Sequence, residues 1–66
     1  MSHIERMQDE HFELGDKIEK LQAFIDHSEI FVGLDFNEQD LMVMQLDAMK
    51  AYHQILGQRL DAIPAQ

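Results

Sequence analysis

Two apolar stripes of helical period, on either side of a single break, most constrain what this chain can fold into. Ile4, Met7, His11, Leu14, Ile18, Leu21 and Ile25 recur at alternating spacings of three and four. Met42, Leu46, Met49, His53, Leu56, Leu60 and Ile63 do the same. Each set falls on one face of an α-helix, and nothing alternates with the period of a strand. Between them runs HSEIFVGL, residues 27–34. Gly33 there permits a positive φ. Ile30, Phe31 and Val32 are too apolar for a free loop, so we expect them to cover the open end of a core as a helical turn capped by Ser28.

Local signals place the ends. Ser2 with Glu5, and Asp35 with Glu38, have capping-box spacing, and Asn37 competes as the second cap. Glu13 and Lys17, and Asp16 and Lys20, are helix-supporting pairs. Pro64 ends the second helix. The expectation is one all-α domain over residues 1–66: helix 1 about 3–26, a connection about 27–34 and helix 2 about 36–63. Two long helices joined this way form an antiparallel hairpin.

With the turn centred near Val32, His11 faces His53. These residues belong to a repeat: MQDEHFELGDKIE at 7–19 and MKAYHQILGQRLD at 49–61 share Met-x3-His-x2-Leu-Gly. The register sets Gly15 beside Met49 and Gly57 beside Met7. Such contacts would explain two mid-helix glycines, which each cost about 1 kcal/mol relative to Ala. His11 and His53 are expected as an intra-hairpin core pair. Packing in the stripe, or a wet waist, is their simplest role. A pH-sensitive joint is the next reading, since two facing imidazoles disfavour double protonation. A metal site ranks last, because neither histidine follows a Glu at the Glu-x-x-His spacing of bundle metal sites. No metal or other cofactor is expected.

The second helix carries more apolar surface than one stripe needs. Leu41, Met44, Ala48, Tyr52 (or Ala51) and Ile55 form another face, and the first helix has no counterpart. A lone hairpin cannot cover it, and such a patch on a small protein marks an interface. Sixty-six residues without a cysteine also form a marginal domain, with no disulfide available. A homodimeric four-helix bundle is the favoured assembly; a groove for another protein is the alternative.

Composition narrows the function. Thirteen acids against five bases give a formal charge of -8. No basic cluster tracks phosphates, so direct nucleic-acid binding and adhesion to an anionic membrane are not expected. No run is long and apolar enough to span a bilayer, and the N-terminus lacks the pattern of a secretory signal. A cytoplasmic location is the expectation. No nucleophile arrangement, phosphate loop or zinc-protease motif occurs, so we expect no enzyme.

Glu5-Arg6-Met7, Glu13-Leu14, Lys17-Ile18, Lys20-Leu21 and Phe24 occur in the first half. Glu38-Gln39, Leu41, Gln45-Leu46, Ala48-Met49, Ala51-Tyr52, Ile55-Leu56 and Arg59 follow in the second. Over nearly its whole length the chain thereby resembles a family of short, uncharacterised phage and prophage helical-hairpin proteins, known from crAss-like and many tailed phages. The resemblance implies an accessory protein acting inside a bacterial host. Binding a host protein to modulate it ranks first. An oligomeric trap for a small nucleotide defence signal ranks second, with Arg6, Lys50, Tyr52 and Arg59 as the candidate ligand or partner contacts. An acidic DNA mimic, using Asp9, Glu13, Asp16 and Glu19, ranks third.

Overall fold

The computed structural model describes residues 2–64. Helix α1 spans His3–His27, a short α2 spans Glu29–Val32, and α3 spans Phe36–Asp61. All regular structure among the described residues is helical, and α1 packs against α3 as a hairpin 50 Å long and 16 Å wide.

Short polar side chains set the helix boundaries. The Ser2 hydroxyl accepts from the Glu5 N–H at 3.0 Å, satisfying one orphan donor of the first turn. Ser28 serves two helices. Its N–H donates to the Phe24 carbonyl to close α1, and its hydroxyl accepts from the Ile30 N–H at 3.1 Å to open α2. Asp35, and not Asn37, caps α3, accepting from the Glu38 N–H at 2.7 Å. Gly33 departs from expectation, with φ -83° and ψ -6°, a conformation open to any residue. The reversal is made by Ser28 and the α2 turn, so no positive φ is required.

The connection is fixed by one side chain from α3. The Gln39 amide donates to the carbonyls of Phe31 at 2.9 Å, Leu34 at 3.2 Å and Val32 at 3.3 Å. Phe31 packs edge-on against Phe24, with centroids 6.2 Å apart. Ile30 and Val32, expected over the core, are 69% and 75% exposed. A four-residue turn presents one face inward, and Phe31 occupies it.

Both stripes face each other, yet among the described residues only Met7, Leu46 and Leu56 are buried. The chain exposes 5197 Å². A compact monomer of its 7.7 kDa would expose about 4300 Å². About 900 Å² of surface is thus left uncovered by folding alone. No described helix is long and apolar enough to cross a membrane.

Candidate functional site

At mid-length the hairpin is joined by two imidazoles. The rings of His11 and His53 stack with centroids 4.0 Å apart and planes 13° from parallel. Each ring lies over the other helix's glycine. A Cβ on Gly15 would meet His53 Nε2 at 3.1 Å, and one on Gly57 would meet His11 Nε2 at 3.3 Å. The glycines therefore make room for histidines and not for Met49 and Met7, as the register alone implies. The cause is the tilt of helical side chains toward their own N-terminus, which carries each ring about a turn past its facing residue. Both histidines are half-buried. Among the described residues, no group of three or more His, Asp or Glu is placed to hold a metal.

One flank of the hairpin carries two of the five basic residues on a shared pocket. His3, Arg6, Met7 and Glu10 of α1 and Arg59 of α3 line an open pocket of about 280 Å³. Both arginines line it because residues 3, 6 and 10 lie on one side of α1, while Arg59 falls near the end of antiparallel α3. Neither arginine makes an ion pair among the described residues, where the Lys20–Asp16 contact at 3.0 Å is the one salt bridge. Glu13 and Lys17, expected to pair, do not.

Glu10, the acid within the pocket, is engaged elsewhere. Its carboxylate accepts a 2.6 Å hydrogen bond from the Tyr52 hydroxyl. That bond, with lesser contributions from desolvation and from the Glu10 charge, raises the Tyr52 pKa above its ordinary value; Arg59 opposes the shift. Arg6, Arg59 and, through Glu10, Tyr52 are thus gathered at one end of the hairpin. Lys50 is not. Its ammonium donates to the Gln22 side chain at 2.8 Å, well away along the helices. His3, one turn before Arg6 on α1, lines the same pocket.

The second apolar face of α3 is open. Leu41, Met44, Tyr52 and Ile55 are 49%, 64%, 42% and 52% exposed, and Ala48 lies exposed among them. Phe36 and Phe12 stand out further, at 84% and 78%. Phe12 borders a second groove of about 310 Å³, with His11, Gly15, Asp16, Glu19 and His53.

The profile of the family described as Sequestin matches residues 1–62, nearly the whole hairpin. The chain belongs to the Sequestin family. No curated protein and no solved structure matches it. In this Sequestin hairpin, the matched span takes in the histidine pair, both glycines, the arginine pocket and the apolar face of α3.

Proposed function

We propose that this Sequestin family member is a non-enzymatic, phage-borne binding protein that self-associates in the host cytoplasm and sequesters a small phosphorylated ligand, a nucleotide defence signal. One observation carries the choice of ligand. In a chain with 13 acids and 5 bases, Arg6 and Arg59 line one pocket with His3 and Glu10, and neither forms a salt bridge among the described residues. Unpaired guanidiniums present planar sets of donors that match a phosphate group. The Tyr52 hydroxyl engages one oxygen of the neighbouring Glu10 carboxylate. The family's name agrees with a protein that holds its target instead of transforming it. The phage origin rests on the resemblance of the two halves of the chain.

Capture of a host protein is the second reading. The observation in its favour is the exposure of Leu41, Met44 and Ile55 along one line of α3. The same face supports a homodimeric four-helix bundle, and a face covered by a second copy is not available to a host protein.

Isothermal titration calorimetry against inorganic pyrophosphate, mononucleotides and cyclic dinucleotides tests the proposal. We expect at least one phosphate-bearing compound to bind, and Arg6→Gln and Arg59→Gln each to weaken it tenfold or more. Silence across the whole panel, pyrophosphate included, would refute the ligand class and turn attention to host proteins.

A further inference from the structure

The open face of α3 has an internal order of its own. At helical spacing it runs Asn37, Leu41, Met44, Ala48, Tyr52, Ile55, Arg59. Its midpoint is the small Ala48. Met44 and Tyr52 lie four residues to either side, and Leu41 and Ile55 lie seven. Polar residues close both ends. Large side chains flanking a small central one suit two helices crossing closely at that centre.

The sequence and the exposed area give the occupant. The excess of about 900 Å² belongs to the elongated hairpin as a whole and leaves room for the roughly 800 Å² that each partner buries in a standard interface. A line that is symmetric in size about Ala48 is self-complementary under a two-fold axis through that residue. Charge sets the direction. Parallel α3 helices would place Arg59 beside its own copy and the acidic starts, Asp35 and Glu38, beside theirs. Antiparallel helices set Arg59 of each toward the acidic start of the other and oppose their dipoles favourably.

We infer that two copies pair antiparallel through α3 about Ala48, and that each arginine pocket is completed by Asn37 of the second copy. Met44 then faces Tyr52 across the axis, Leu41 faces Ile55, and Asn37 faces Arg59. The pocket, open within one chain, gains a wall and an amide that can donate to the same anion as Arg6 and Arg59. Two equivalent sites result, one at each end of the seam. The role given to Asn37 rests on the phosphate-binding reading above; the pairing does not.

Cysteine cross-linking tests the pairing without any ligand, because the chain contains no cysteine. Asn37 and Arg59 of one α3 are about 33 Å apart, at a rise of 1.5 Å per residue. A short bismaleimide therefore cannot join them within a chain. The double variant Asn37→Cys/Arg59→Cys should link into a covalent dimer, as should Ala48→Cys alone. Asn37→Cys alone and Arg59→Cys alone should not. Linking of either of those two single variants, or no linking in any variant, would overturn the antiparallel seam. Pyrophosphate binding then tests the completed site. Asn37→Asp, which sets a carboxylate against Arg59 of the other copy, should weaken binding tenfold or more while leaving the dimer intact. Unchanged affinity in an intact dimer would remove Asn37 from the site. Failure of the wild-type protein to bind pyrophosphate would instead count against the phosphate reading and leave the cross-linking result standing.

Discussion

His53 Nε2 lies 3.1 Å from where a Cβ on Gly15 would stand, and the reciprocal distance from His11 Nε2 to Gly57 is 3.3 Å. Replacing a mid-helix glycine by alanine ordinarily gains about 1 kcal/mol. Here the added methyl must push an imidazole held on its face by the stacked ring of the other helix. We expect Gly15→Ala to lose stability relative to wild type in urea denaturation, and Gly57→Ala to lose less. In a His53→Ala background the ring is gone, so Gly15→Ala should recover a gain of about 1 kcal/mol. Such a reversal is a coupling that a double-mutant cycle measures directly. Additive effects would mean that the ring yields freely.

Gln39 is the most exacting polar residue in the fold, since one amide group serves three carbonyls of the connection. Gln39→Leu should cost about 1 to 3 kcal/mol, because the partly buried carbonyls of Phe31 and Leu34 lose their donor. Gln39→Glu keeps the size but turns acceptors toward acceptors. It should be worse than leucine at neutral pH and improve in acid, where a protonated carboxyl can donate again. The midpoint of urea denaturation at both pH values reads this, and equal midpoints for the two variants at neutral pH would contradict it.

The hairpin was legible in the sequence because its two stripes fix which faces meet, and a register centred near Val32 sets His11 against His53. The caps were legible because Ser and Asp side chains act over three residues. What the register could not supply was the lean of each ring, so the glycines were set beside methionines when they lie under histidines. Gln39 was hidden for a related reason: a long polar side chain at a helix start has no periodic signature, and its partners are backbone atoms without sequence identity. Arg6 and Arg59 were picked out as the scarce cations of an acidic chain. Charge scarcity cannot separate them from Lys50, whose bond to Gln22 only the three-dimensional arrangement reveals.

Tyr52 offers a spectroscopic test, being the one tyrosine in a chain without tryptophan. Its hydroxyl donates to Glu10, and ionisation would destroy that bond and set two negative charges together. The absorbance change of tyrosinate should therefore appear above the ordinary range near pH 10. In Glu10→Gln the midpoint should fall toward that range. The sign for stability follows: the bond contributes fully below the unfolded pKa and is lost as pH rises through the higher folded one. An identical titration in wild type and variant would show that the bond does not persist in solution.

Met44, at 64%, is more exposed than Leu41, Tyr52 or Ile55 on the apolar face of α3. Within one chain a glutamate there would be nearly neutral, since it meets only water. Against a second α3 it would place a carboxylate in an apolar seam, where an unpaired charge is costly enough to prevent association. Light scattering on a size-exclusion column separates the two cases. Wild type should have about twice the 7.7 kDa chain mass, and Met44→Glu should have the mass of one chain with helical circular dichroism retained at low temperature. Its melting should also become independent of protein concentration, whereas the melting temperature of the wild-type dimer should rise with concentration. A variant that keeps the dimer mass would show that the apolar face lies outside the interface, and a monomeric wild type would leave that face open for another protein.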